Sequence, residues 1–228
     1  MQIVILSGGL AKRLRPISKT TPKALIEING VPFIEYQFRY LEKQGITKVV
    51  LCLGYLGDKI KNYLSQNKYS FDIEYSYDGS SLLGTGGAIK NAIKHIDNVF
   101  FVMYGDSFLP IDFKPVYQKF IINNHSALMT IINNHNKWDK SNVIFRNNII
   151  KLYDKFENHE DMDYIDYGLS IFKKEVFLNI LEKKFDLANI FNSLSISNDL
   201  DSYCVNERFF EIGTNQGILD FEEFLKKN

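Results

Sequence analysis

The chain of 228 residues is poor in the groups that mark several common classes of protein. It has two cysteines, Cys52 and Cys204, both in apolar surroundings and not in a CxxC pair, so buried reduced thiols are expected rather than a disulfide scaffold. Its four histidines are scattered, without the HExxH spacing of a zinc site. Lysine and arginine (27) only balance aspartate and glutamate (27), so the basic surplus of a nucleic-acid binder is missing and any cationic site must be local. No apolar run approaches membrane-span length, and Met1-Gln2-Ile3-Val4-Ile5-Leu6 has neither the length nor the basic flank of a signal peptide. The expected address is the cytoplasm, with neither nucleic acid nor membrane as partner. Neither a GxxxxGK[ST] phosphate loop nor a GxGxxG dinucleotide fingerprint occurs: Gly84-Thr85-Gly86-Gly87-Ala88-Ile89 puts isoleucine at the last glycine position.

What is present is an ordinary globular composition, 45% hydrophobic and 24% charged, with 18 Phe and 13 Tyr to fill a core. Apolar runs alternate with amphipathic stretches. Strands are expected at 3–6, 48–53, 71–76 and 99–104, and helices at 33–44, 57–66 and 84–95. That alternation implies an α/β fold with a mostly parallel sheet covered on both faces. After about residue 125 the runs shorten. Strands are expected near 127–132, 142–145, 149–153, 164–172 and 202–205, and helices at 173–181, 186–194 and 215–226. A single domain follows, with a first part (about 1–125) suited to a nucleotide and a second (about 126–228) adding strands to the same sheet and walling a cleft.

The strongest local signal follows the first strand. Gly8 and Gly9 end it, where a backbone without side chains can bend sharply and bring N–H groups close to phosphate oxygens. The carboxyl ends of parallel strands are also where open α/β sheets bind ligands. Lys12, Arg13, Arg15, Lys19 and Lys23 follow, with no acidic residue between positions 10 and 26. Arginine offers a fork to phosphate and lysine a mobile charge. Asp106, at the end of the strand 99–104, points toward the same crevice and suits Mg²⁺, a hard ion that prefers oxygen ligands.

Four segments together resemble the sugar-phosphate nucleotidyltransferases. Gly8-Gly9-Leu10-Ala11-Lys12-Arg13-Leu14-Arg15-Pro16 with Pro22-Lys23 is similar to the G-G-x-G-x-R-L-x-P…P-K loop of that family. Leu83-Gly84-Thr85-Gly86-Gly87-Ala88 is similar to L-G-T-G-G-A, Tyr104-Gly105-Asp106 to [NY]-G-D, and Phe210-Glu211-Ile212-Gly213-Thr214 to D-[IV]-G-T. Their order and spacing, from residue 6 to 214, cover nearly the whole chain. The resemblance implies a Rossmann-like, mixed and mostly parallel sheet with helices on both faces. It also implies condensation of an NTP with a sugar 1-phosphate to give an NDP-sugar and pyrophosphate. Arg13 and Lys23 become the candidate catalytic cations, and Asp106 and Glu211 the candidate Mg²⁺ ligands. Leu6, Gly8, Gly9, Asp78, Gly84, Thr85 and Gly86 become candidates for the nucleotide, and Lys155, Asp166 and Gly168 for the sugar phosphate. Two departures stand out: Ala11 where the family has glycine, and Glu211 where it has aspartate.

Overall similarity to short members such as heptose 1-phosphate guanylyltransferases points first to GTP and a heptose-like sugar 1-phosphate, for bacterial surface glycan synthesis. Uridylyl transfer to a hexosamine-type 1-phosphate, cytidylyl transfer to another phosphorylated substrate, and a non-catalytic nucleotide-binding subunit stay open. A dehydrogenase-like reading is disfavoured by the failed fingerprint. The chain stops soon after its late acidic motif, so a minimal catalytic core is expected. A homodimer is compatible with the sequence, which leaves the oligomeric state open.

Overall fold

The computed structural model describes residues 1–157 and 159–227, with the Lys12 side chain outside the described set. Thirteen strands are formed among these residues: β1 (Gln2–Ser7), β2 (Glu27–Ile28), β3 (Val31–Pro32), β4 (Lys48–Leu53), β5 (Asp72–Tyr77), β6 (Val99–Tyr104), β7 (Ser107–Phe108), β8 (Ala127–Asn133), β9 (Val143–Arg146), β10 (Ile149–Tyr153), β11 (Tyr164–Lys173), β12 (Leu200–Val205) and β13 (Phe210–Glu211). The α-helices are α1 (Phe33–Lys43), α2 (Gly57–Leu64), α3 (Gly84–Asn91), α4 (Phe113–Asn123), α5 (Leu187–Ile196) and α6 (Asn215–Lys227).

Nine strands form one mixed sheet, in which β6, β1, β4 and β5 run parallel side by side. Strand β11 pairs antiparallel to β6 on one edge and to β8 on the other, and β12 runs parallel to β8. The hairpin β9–β10 joins at Tyr164. Alternate residues of the central strands enter different cores. Ile3, Ile5, Val49, Leu51 and Leu53 pack against α1, α2 and α4, through residues such as Ile34, Phe38, Ile60 and Val116. Val4, Leu6, Val50 and Cys52 pack against α3 and α5, through Ala88, Ile89, Leu187 and Phe191. A period of two along the strands therefore places helices on both faces.

The register sets the site. Leu6 lies opposite Tyr104, Ser7 opposite Leu53, and Leu53 opposite Tyr77. The loops that follow, carrying Gly8, Gly54, Asp78 and Asp106, thus leave the sheet along one carboxyl edge. A third core fixes the late motif to that edge. Phe221 of α6 is fully buried among Phe33, Phe108, Phe210 and Ile212. Truncating a ring so enclosed costs about 3–5 kcal/mol, so α6 is a firm backing for β13.

Two expectations about elements change. The helix expected at 173–181 is only a short 3₁₀ turn, Lys174–Phe177. Beyond it Leu178 and Leu181 are exposed, and no apolar face is buried to hold a longer helix. The helix α4 is not among the elements expected from the sequence. Asp112 caps it, accepting the Lys114 N–H at 3.0 Å, and Pro115 sits in its first turn, where a missing N–H costs nothing. Among the described residues, no helix is long and apolar enough to cross a membrane.

Candidate active site

A cavity of about 250 Å³ opens at the carboxyl edge of the parallel strands. Its apolar lining comes from Leu6, Cys52, Ile60, Leu82 and Ala88; Gly8, Gly9, Gly84, Thr85 and Asp78 also line it, as do the charged Lys23 and Asp106. Burial pushes the Cys52 thiol far up, so it is an inert wall.

Close backbone approach shapes this cavity. A Cβ on Gly54 would lie 2.6 Å from Gly8 O and 2.9 Å from Leu82 Cδ2. Gly84 has φ +76°, and a Cβ there would lie 2.5 Å from Phe185 O. Gly86 has a different setting from Gly84 and Thr85. It does not line the cavity; its N–H donates to Phe185 O at 3.1 Å, packing α3 against the start of α5. Thr85 lines the cavity and ties it to α5. Its hydroxyl donates to Asp186 Oδ1 at 3.0 Å and accepts the Leu187 N–H at 2.8 Å.

The charged groups converge beside Gly213. A Cβ on that residue would lie 3.3 Å from an Arg13 guanidinium nitrogen, 3.5 Å from Lys23 Nζ and 3.8 Å from Asp106 Oδ2. Lys23 and Asp106, 83 residues apart, form an ion pair at 2.5 Å. Three elements hold the Asp106 turn. Gly105 N–H donates to Leu6 O at 3.0 Å, Ile212 N–H donates to Asp106 O at 2.9 Å, and Glu211 pairs with Ser107 in the β7–β13 ladder. Gln37, buried on α1, clamps the turn from below, its amide donating to Tyr104 O at 3.2 Å and Ser107 O at 2.7 Å.

Glu211 is an exposed residue, yet protein atoms crowd its carboxyl. That burial, then the Asp106 and Asp139 charges, raise its pKa to about 7 against the opposing pull of Lys23 and Arg13. Carboxylates that repel each other and supply only oxygen ligands fit a hard dication such as Mg²⁺. The family's usual glycine is also informative: Ala11 takes φ +48°, so the left-handed conformation is kept without one. Its carbonyl accepts the Ser18 hydroxyl at 2.7 Å, which holds the loop closed.

Lys155, Asp166 and Gly168 do not line the cavity; they lie beyond Tyr104. Gly168, with φ +99°, sits where β11 breaks register between Asp166 and Ser170, and a Cβ on it would be 3.6 Å from the Tyr104 ring. Asp166 accepts the Gly168 N–H at 2.9 Å. Burial raises its carboxyl to about 6, opposed by that hydrogen bond and by Lys155. Lys155 pairs with Asp186 at 3.4 Å, so Asp186 touches both Thr85 on the cavity side and Lys155 on the far side. The structure thus gathers Arg13, Lys23, Asp106 and Glu211 in one cluster, and Lys155 with Asp166 in a second, adjoining one. Gly54, Gln37, Asp139 and Asp186 escaped the sequence reading. Only Gly54 carried a usable signal, since it ends its strand as Gly8 ends the first.

A model of the nucleotidyl transferase family matches residues 2–228. A D-glycero-alpha-D-manno-heptose 1-phosphate guanylyltransferase from Campylobacter jejuni is 31% identical over 231 residues, covering 100% of both chains. An N-acetylmuramate alpha-1-phosphate uridylyltransferase from Neisseria meningitidis is 33% identical over 120 residues, 52% of each chain. Among solved structures, HddC from Yersinia pseudotuberculosis complexed with GMP-PN superposes with a TM-score of 0.84 at 25% identity, covering 98% of this chain and 99% of that one. With the family model spanning almost every residue and a full-length relative at this level of identity, the chain belongs to the nucleotidyl transferase family.

Proposed function

We propose that this chain condenses GTP with a heptose-like sugar 1-phosphate, giving a GDP-sugar and pyrophosphate, in support of bacterial surface glycan synthesis. The observation that carries the reaction class is the meeting of Arg13, Lys23 and Asp106 around Gly213, with Lys23 and Asp106 also lining the cavity framed by Gly8, Gly9, Gly84 and Thr85. The choice of GTP and a heptose draws support from the Campylobacter jejuni relative and from the guanine nucleotide in the HddC complex.

In this reading the base lies between Leu6, Leu82 and Ala88, and the triphosphate runs toward Arg13 and Lys23. The sugar phosphate enters from the other side, past Tyr104, toward Lys155, with Asp166 accepting hydrogen bonds from sugar hydroxyls and Gly168 leaving room for the ring. Its phosphate is largely dianionic at neutral pH, the second pKa being about 6, so it attacks without a general base. One phosphate oxygen forms a bond to the α-phosphorus of GTP. The bond from that phosphorus to the bridging α–β oxygen breaks, and its electron pair leaves with pyrophosphate. Arg13 and Lys23 stabilise the charge that builds on the leaving group. Lys23 and Asp106 neutralise each other in the free protein; an arriving triphosphate takes over Lys23 and frees Asp106. Mg²⁺ held by Asp106 and Glu211 supplies, when bound, positive charge against the triphosphate.

A matrix of four NTPs against sugar 1-phosphates, read by pyrophosphate release, tests the proposal. Highest turnover for GTP with a heptose 1-phosphate supports it. Turnover with UTP and a hexosamine-type 1-phosphate replaces it by the uridylyl reading, and binding without turnover for every pair replaces it by a non-catalytic subunit.

A further inference from the structure

The second cluster carries an imbalance of charge. Lys155 pairs with Asp186 at 3.4 Å, and its charge also acts on Asp166. Two carboxylates thus face one ammonium where a phosphate dianion is to arrive. Both carboxylates bear on the hydroxyls of Tyr153 and of Tyr104, the residue at which this cluster meets the nucleotide cavity. Asp186 is held so that it cannot turn away. Its Oδ1 accepts the Thr85 hydroxyl at 3.0 Å and the Ala188 N–H at 2.9 Å. On either side of it, Phe185 O accepts the Gly86 and Gly87 N–H groups, each at 3.1 Å, and the Leu187 N–H donates to Thr85 Oγ1 at 2.8 Å. Oδ2 is left facing Lys155, on a side chain 35% exposed. A pair this long and this open to water contributes little to stability, so the fold alone does not account for it.

A lysine partnered in this way responds differently to two kinds of anion. A phosphate arriving alone gains the ammonium but meets a fixed negative charge beside it, and like charges held close in a partly desolvated site repel. A phosphate attached to a sugar brings hydroxyl donors as well. A carboxylate accepts these in hydrogen bonds stronger than those between neutral groups. A penalty against the wrong ligand gives discrimination where the attractive group, here one lysine, serves both. We propose that Asp186 determines specificity at this end of the site, opposing a phosphate that carries no sugar and accepting a hydroxyl of one that does. The inference rests on the reading above in which Lys155 meets the sugar phosphate, and adds to it the group that makes the sugar a requirement.

The test measures inorganic phosphate as a competitive inhibitor against the sugar 1-phosphate of highest turnover. NTP is kept saturating, so that Arg13 and Lys23 are occupied, and nucleotide-sugar formation is the readout. Asp186→Asn keeps an acceptor for Thr85 and Ala188, asparagine capping helices as well as aspartate, and removes the charge. Asp186→Ser, another favoured cap, removes it without placing an amide beside Lys155. In both variants Ki for inorganic phosphate should fall roughly 3- to 10-fold, an effect that shrinks with added salt. KM for the sugar 1-phosphate should stay within about twofold or rise, because the weaker acceptor offsets the lost repulsion. A Ki that is unchanged or raised overturns the proposal. So does a KM that falls in step with Ki, which would make Asp186 a repelling charge and no reader of the sugar. Lys155→Met keeps the two readings apart: unaltered Ki and KM in that variant remove the role of Lys155 itself, and the inference with it.

Discussion

Replacing Gly54 by alanine should damage nucleotide use while leaving the charged groups untouched. The new Cβ would lie 2.6 Å from Gly8 O, where 3.4 Å is an ordinary separation, so the loop must move by roughly 0.8 Å. Leu82 Cδ2, at 2.9 Å, is the end of a flexible side chain and can yield; Gly8 O is backbone, and its loop frames the cavity. A displacement approaching 1 Å in a positioning element costs on the order of 10²-fold, so kcat/KM for the NTP should fall roughly 10- to 100-fold. Crowding of this kind costs about 1–3 kcal/mol of stability, which a thermal melt will separate from loss of fold. Pyrophosphate release under limiting NTP is the assay. Gly9→Ala is the companion, since a Cβ there meets no protein atom within 4 Å and any loss reports the ligand rather than the loop. A folded Gly54→Ala protein within about twofold of wild-type kcat/KM would refute the claim that the Gly8 loop shapes the nucleotide site.

Three other perturbations probe the same site. Lys23→Ala leaves Asp106 without its partner at 2.5 Å and removes a cation facing the leaving group, so kcat should fall about 10²–10³-fold in steady-state assays with near-UV circular dichroism unchanged. Asp166→Asn should move stability and activity in opposite directions. The folded-state pKa is raised from 3.8 to about 6, so this group's favourable contribution is complete below about pH 4 and lost as pH rises through 6. The variant escapes that loss, and its urea-unfolding advantage over wild type should widen by about 1–2 kcal/mol between pH 5 and 8, while KM for the sugar phosphate rises. Ala11→Gly relaxes a left-handed alanine, worth about 1–2 kcal/mol, against a Gly entropy cost of about 0.4–1 kcal/mol, so the melting temperature should hold or rise slightly.

How much of this was legible in the sequence depended on where each signal lived. Strands β4 and β10 were readable to the residue because their apolar runs, interrupted only by Lys151 in β10, end abruptly at Gly54 and at Asp154. The cationic loop and Asp106 were readable because glycine, charge and strand end coincide there. Gln37 was not: a lone glutamine among Phe33, Ile34, Phe38 and Leu41 looks like a break in an apolar face, and only the fold brings its amide beneath the Asp106 turn. Asp186 was hidden by its other role, since an aspartate before an apolar run reads as a helix cap, and it does cap α5 by accepting the Ala188 N–H at 2.9 Å. Its contacts with Thr85 and Lys155 come from residues 101 and 31 positions away, beyond the reach of local pattern. Gly86 illustrates the converse. It sits in a glycine-rich segment that reads as a ligand loop, but the space it leaves is filled by Phe185.

A crystal structure with a non-hydrolysable GTP analogue and Mg²⁺ addresses the central claim most directly. The account predicts guanine beside Gly8 and Asp78, the phosphates against Arg13 and Lys23, and the metal between Asp106 and Glu211. Nucleotide bound outside this cavity, or a metal coordinated by neither carboxylate, would contradict it.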